Sequence, residues 1–388
     1  MRSIAMKPLA FLLLVATAGV LLPGAEPAAD KADAPDMYRI WVDKKVGFID
    51  KAGRVVIEPQ FTWAYEFSEG LCQVNVPGKE GYIDASGNWA IEIDTHDDRP
   101  FRCGVAVMCT GKRTGIVDRT GHVIDCPFDW MQEFSEGHSA IAVYEKPVDA
   151  ESDANKAFRW RQQKWGFVDT AGKLVIPIEY TAAGSFSEGL APVYVGGADA
   201  MCTGLSGGKW GYINQKGEMV IKPQFSTAGG FSEGLATVSF DGQNYGWIDK
   251  TGKFAIKMRR LSIALPFHDG VARIRGYKDS VPGWNDFGYI TKEGEVFVHP
   301  VFAGSIEPFS EGLAEARQKP TWDAEKNEWI PGKNGYVDKQ GNWVIQSQFT
   351  YTRPFRGGLA YVQTQRQAAC IDKTGRVVWS VDIAPVMK

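Results

Sequence analysis

The chain has 388 residues, 44% hydrophobic and 12% aromatic, with 43 glycines, which supplies a buried core and excludes a disordered protein. Its formal net charge is −3. No basic block or stripe interrupts it, which excludes nucleic acid as the main partner.

Taken in order, residues 1–29 have the layout of an export signal. Arg2 and Lys7 precede an apolar run, Pro8–Leu22, and small residues follow at Pro23, Gly24, Ala25, Ala28 and Ala29. A membrane-spanning helix needs roughly 20 apolar residues. The run is shorter, so it reads as a cleaved signal that leaves no integral membrane span. The mature chain is therefore expected in the periplasm or outside the cell. Residues 30–36 form a short polar leader, and 37–388 form a single repeat array.

The repeat has two landmarks. The first is a glycine followed by aromatic, β-branched and Asp or Asn residues, at Gly47, Gly81, Gly115, Gly166, Gly211, Gly246, Gly288 and Gly335, with Ala369 in the slot of a ninth copy. The second is the Phe of Phe-Ser-Glu-Gly-Leu, intact at Phe67, Phe186, Phe231 and Phe309 and varied at Phe101, Phe134, Phe267 and Phe355. From glycine to Phe the step is always 19–21 residues, whereas from Phe to the next glycine it runs from 14 to 32. All large insertions therefore fall in one connection, as in a packed repeat with one decorated rim.

Three strands are legible in each copy. The glycine strand ends in Asp-x-x-Gly, as at Asp50…Gly53, where the carboxylate accepts backbone N–H groups and the glycine closes a hairpin. The proline strand follows, as in Val55-Val56-Ile57, and is expected to stop at Pro59, Pro127, Pro177, Pro223 or Pro300. A short link carrying Phe61 or Phe225 leads to the Phe-Ser-Glu-Gly turn. The leucine strand, such as Leu235–Val238, completes the unit. Adjacent apolar slots in the glycine strand point to opposite faces, so neighbouring copies must cover both. The slot glycine is expected to let a neighbouring aromatic lie on the backbone.

Tyr38–Val42 stands where a leucine strand should, and the chain ends after the ninth proline strand, giving about nine complete three-stranded units. Propellers usually have 4–8 blades of four strands. An all-β open solenoid or superhelix of three-stranded repeats is thus the expected architecture. A closed propeller-like ring is the alternative, and it requires the Pro-x-Phe link to be a fourth strand.

The segments Lys164-Trp165-Gly166-Phe167 and Lys209-Trp210-Gly211-Tyr212, with the Asp-x-x-Gly and Phe-Ser-Glu-Gly-Leu turns, resemble those of bacterial WG/KWG-repeat proteins. The resemblance covers about Tyr38 to Trp379. Most copies depart from the Trp of the name, carrying Val46, Glu80, Thr114, Tyr245, Phe287 or Asn334 before the glycine. The resemblance implies a binding or scaffolding role and carries over no catalytic residue.

Candidate chemistry is sparse. Gly204-Leu205-Ser206-Gly207-Gly208 matches G-x-S-x-G but lies between two strands, without the strand-to-helix elbow that chemistry needs. A hydrolase assembled from insertion loops, with Ser206, His138 and Asp199, is an alternative function, and a structural spacer is another. The five histidines occupy unequal slots without metal-ligand spacing, and the Asp-x-x-Gly turns lack a multi-oxygen calcium loop. No metal or cofactor is expected. The six cysteines allow local bridges such as Cys103–Cys109 or Cys103–Cys126. The insertions near 144–164, 195–209, 277–286 and 317–334 carry tryptophan and arginine, the residue types of binding hot spots. Trp160, Arg161, Trp284, Trp322 and Trp329 are the expected binding residues. The expected function is that of an exported, non-catalytic binding or scaffold module for a protein or a cell-envelope polysaccharide.

Overall fold

A computed structural model describes residues 36–93, 99–109, 114–144, 163–200, 204–242, 244–258, 261–276, 287–297, 307–318, 320–323, 325 and 327–383. The expected signal, 1–29, and most of the expected leader, 30–36, lie outside these residues. Among the described residues all regular structure is β, and no helix is long and apolar enough to cross a membrane.

The open solenoid is not what forms. The link is a strand, as Trp63–Ala64, Trp130–Met131, Ala182–Ala183 and Tyr351–Thr352 show, and it pairs with the leucine strand that follows it. Each full unit is then a four-stranded antiparallel sheet ordered link, leucine, glycine, proline from the inside out. Nine such blades form a closed β-propeller ring, blades 1, 3 and 8 having three strands each in the blade sheet among the described residues. Blade 1 is Met37–Phe61, blade 2 Trp63–Glu92, and blade 9 Tyr351–Asp382.

Packing between blades explains the closure. One apolar cluster fills each interface, using alternate faces of each sheet. Phe48 and Ile57 of blade 1 meet Ala64, Phe67 and Val74 of blade 2. Ile40 and Ile49, on the other face of blade 1, meet Tyr361, Ala368 and Cys370 of blade 9. That last cluster is the seam. It is reinforced by Trp41 against Tyr361, with ring centroids 4.9 Å apart, and by the Tyr38 hydroxyl donating to Gly357 O at 2.7 Å.

The two sequence landmarks turn out to be the two halves of each joint. The glycine-strand aromatic lies against the turn Phe of the next blade, from 4.7 Å between Tyr336 and Phe355 to 5.6 Å between Trp247 and Phe267. Such pairs contribute about 0.5–1.5 kcal/mol beyond their burial. Where the aromatic has a polar end, it also donates to the next link strand: Tyr212 Oη to Gly229 O at 2.9 Å and Tyr336 Oη to Arg353 O at 2.7 Å.

The proline ends its strand as expected in blade 3, where Val123–Cys126 stops before Pro127, but not at Pro59, Pro177 or Pro223, and Pro300 lies outside the described residues. Val55–Phe61 runs through Pro59, with a register shift opposite Gly47. A Cβ on Gly47 would stand 2.6 Å from Pro59 N and 2.7 Å from Ile57 O, so the bulged backbone, more than a neighbouring ring, demands glycine. At Gly246 and Gly335 the expected ring is also there, since a Cβ would stand 2.6 Å from Phe254 Cε1 and 2.8 Å from Trp343 Cζ3. Blade 9 carries Ala369 in the slot, paired in register with Ser380.

Candidate functional site

Four antiparallel strands per blade put every turn at one of two ends of the ring. The Phe-Ser-Glu-Gly and Asp-x-x-Gly turns share one end. The variable leucine-to-glycine connections share the other end with the starts of the link strands.

The turn end is occupied with its own assembly. The turn Glu holds a positive φ, 51° at Glu69 and 52° at Glu233, a conformation that costs an L-residue about 1–2 kcal/mol. Its carboxylate accepts the Gly N–H of the next blade's turn, as from Gly104 to Glu69 at 2.8 Å and from Gly270 to Glu233 at 3.0 Å. The neighbouring Ser hydroxyl donates to the next turn Phe carbonyl, at 2.6 Å from Ser187 to Phe231 and from Ser232 to Phe267. Lysines complete the belt, with Lys292 at 2.9 Å from Glu233 and Lys373 at 3.1 Å from Glu311. Blade 3 carries Cys103 in the Glu slot, and its sulfur accepts from Gly137 N at 3.3 Å.

The Asp-x-x-Gly aspartates cap their own hairpins. Asp50 Oδ1 accepts from Ala52 N and Arg54 N at 2.9 Å, and these bonds, Arg54 N–H first, hold its carboxyl below the usual range. The Thr374 hydroxyl, with Arg376, holds Asp372 down to about 2. No group of potential metal ligands occurs among the described residues. None of Cys72, Cys103, Cys109, Cys126 and Cys370 is in a disulfide, so neither anticipated bridge forms; Cys126 is buried between blades 3 and 4.

The insertion end is where the copies diverge. Trp322 and Trp329 face each other across the hairpin Thr321–Asp323 and Glu328–Ile330, 48% and 65% exposed, with rings 5.4 Å apart. Trp160, Arg161 and Trp284 lie outside the described residues. Ser206 is exposed on the long hairpin Leu190–Ala200 and Gly204–Asn214, which extends beyond the blade at this end. His138 begins its strand at the turn end, its Nδ1 2.9 Å from Glu136 O. Ser206 and His138 are therefore not brought together, and Asp199 lies on the Ser206 hairpin.

One set of residues at this end escaped the sequence reading. The link strands and the seam present Trp63, Tyr65, Trp130 and Tyr351, all exposed, around the mouth of the ring. Arginines lie over the rings: Arg99 is 5.1 Å from the Trp130 centroid, while Arg39 and Arg353 are 5.2 and 4.9 Å from that of Trp41. The corresponding positions in blades 5 and 6 are Ala182, Gly184, Thr227 and Gly229. The mouth is thus lopsided, aromatic and cationic over blades 9 to 4 and small-sided over blades 5 and 6. The signal was available as copy-to-copy variation two residues after each link aromatic.

Comparison with known proteins agrees with this architecture. The model of the WG containing repeat family matches residues 47–79, 165–197, 210–243, 245–275, 287–322 and 335–365. The crystal structure of a eukaryotic initiation factor superposes with a TM-score of 0.59 at 10% identity, over 90% of this chain and 96% of that one. The designed Ika8 protein gives 0.39 at 13% identity, over 84% and 96%. BamB from Moraxella catarrhalis gives 0.38 at 10%, over 73% and 93%. The first likeness shows the fold alone. Comparison with curated proteins gives no match. The six matched segments span about half of the chain, which belongs to the family of WG containing repeat proteins.

Proposed function

We propose that this ring is an exported, non-catalytic binding module that engages a protein or a cell-envelope polysaccharide through its insertion end. The observation that carries the reading is the division of labour between the ends. The recurrent turn residues are consumed in joining blades, as the Glu233–Gly270 and Ser232–Phe267 bonds illustrate. The side chains that differ between copies, including exposed Trp322, Trp329, Trp63 and Trp130, gather at the other end. Loops and rim side chains on a rigid scaffold are the usual seat of recognition, and exposed tryptophan beside arginine is the usual composition of hot spots.

The test is capture of partners and cell-wall polysaccharide from the native envelope by the mature chain and by a Trp322→Ala/Trp329→Ala variant. The reading expects loss of capture with an unchanged thermal midpoint. Equal capture by both proteins would refute the role of this hairpin.

A further inference from the structure

The Trp322–Trp329 hairpin is an addition that its blade does not need. In blades 1 and 2 the leucine and glycine strands are joined by two-residue turns, with Val42 paired to Lys45 and Val76 to Lys79. In blade 8 the same strands already meet at Arg317 and Asn334, and the hairpin between them forms a separate two-stranded sheet. Such a ribbon is marginal on its own, and the cross-strand Trp322–Trp329 pair helps to hold it. That service does not call for so much indole in water. A pair of β-branched residues would provide it, yet these rings are 48% and 65% exposed.

The two indoles meet at 65°, with centroids 5.4 Å apart. Rings so placed form two walls of a corner, where an ammonium group touches the π face of both. Carboxylates border the corner. Glu328 precedes Trp329 and pairs across the ribbon with Asp323, which follows Trp322. Asp323 Oδ1 accepts from Glu325 N at 3.0 Å, which shapes the turn, and Glu325 and Glu328 are exposed. From Pro320 to Pro331 the sequence has three carboxylates and one lysine. Strand alternation turns the Asp323–Glu328 pair to the other face of the ribbon. Its charges therefore set the field around the corner without blocking it.

Blade 2 holds a precedent for what such a corner takes. Lys79 Nζ lies 4.0 Å from the centroid of the Trp89 ring and 2.6 Å from Glu92 Oε1. A lysine between an indole face and a nearby carboxylate is thus an arrangement that this chain already makes.

We infer that the Trp322–Trp329 corner receives lysine side chains from an extended basic segment of a partner protein. The inference rests on the reading of this hairpin as a contact site and names what it contacts. The indole faces hold the ammonium groups by cation–π attraction, and Glu325 and Glu328 steer the basic segment to the tip. The same carboxylates turn away a polysaccharide of anionic sugars.

The probe is a fluorescent peptide of alternating lysine and serine, titrated into the chain by anisotropy. The same peptide with its lysines acetylated should not bind. With its lysines trimethylated it should bind at least as well, because trimethylation keeps the charge and removes only hydrogen-bond donors. Trp329→Ala should weaken binding about tenfold, Trp329→Phe less, and Glu325→Gln/Glu328→Gln about fivefold. The acetylated peptide leaves the protein untouched, so a melted ribbon in a variant cannot mimic its loss of binding. Equal binding of the lysine and acetyl-lysine peptides would overturn the inference, as would lysine-peptide binding unchanged by Trp329→Ala. Retention of the chain on immobilised polygalacturonate, lost in Trp322→Ala/Trp329→Ala, would overturn it in favour of a sugar site. Displacement of the peptide by choline at a lower concentration than by unlabelled peptide would overturn it in favour of a choline-bearing lipid or glycan. If partner capture needs Trp322 and Trp329 but the lysine peptide does not bind, this inference falls and the contact site stands. Equal capture by the wild type and Trp322→Ala/Trp329→Ala removes the site itself.

Discussion

Substitution of Glu233 separates two explanations of the recurrent turn glutamate. Its carboxylate accepts from Gly270 N at 3.0 Å and pairs with Lys292 at 2.9 Å, while its backbone sits at φ 52°. A hydrogen bond to a charged group contributes about 1.5–3 kcal/mol. The side chain is 30% exposed and Gly270 N can turn to water, so about 1–2 kcal/mol is the appropriate figure here. Glu233→Ala loses that and keeps the left-handed backbone cost. Glu233→Gly loses the same bonds but relieves about 1 kcal/mol of that cost. The expected order of stability is wild type, then Glu233→Gly, then Glu233→Ala. Urea unfolding midpoints at low salt, with unchanged m values, measure it. If Glu233→Gly proves more stable than wild type, the carboxylate does not join blades. The ring of glutamates would then need a functional explanation that is absent here.

Removal of the buried Tyr212 hydroxyl by Tyr212→Phe should cost about 1 kcal/mol by urea unfolding, since Gly229 O loses its donor. Acid should destabilise the ring between about pH 4 and pH 2. The depressed carboxyls of Asp50, Asp118, Asp249 and Asp372 stabilise the fold above the unfolded carboxylate range and lose that contribution as pH falls through their folded values, about 2 for Asp372. Asp372→Asn should flatten that decline in a pH series of midpoints. Burial pushes the Cys370 thiol up to about 12 and that of Cys72 higher still. Both should resist iodoacetamide until the ring is unfolded in urea, as mass spectrometry of the labelled protein would show.

Much of this architecture could be read from spacing. The constant glycine-to-Phe step reflects a joint whose two halves must meet, and the hairpin ends are marked by residues with few substitutes. The closed ring could be read only as the alternative, because it depends on a strand of only two residues, such as Trp63–Ala64, too short for any alternation. The proline misled for a related reason. Pro59 lies on a bulge of an outer strand, where its missing N–H costs no ladder bond. The mouth residues were hidden in that same link. Trp63, Trp130 and Tyr351 share a slot with Ala182 and Thr227, so they look like scaffold until the strand is seen to border the axis. Arg353 carries no motif at all; only its position against Trp41, across the seam between the first and last blades, gives it meaning.

The central claim is that one end of the ring builds and the other binds. Photocrosslinking in the native cell tests it most directly, with benzoylphenylalanine placed at Trp329 on the insertion end and, separately, at Lys250 on the turn end. Adducts from Trp329 and none from Lys250 are expected. Equal or stronger adducts from Lys250 would contradict the account.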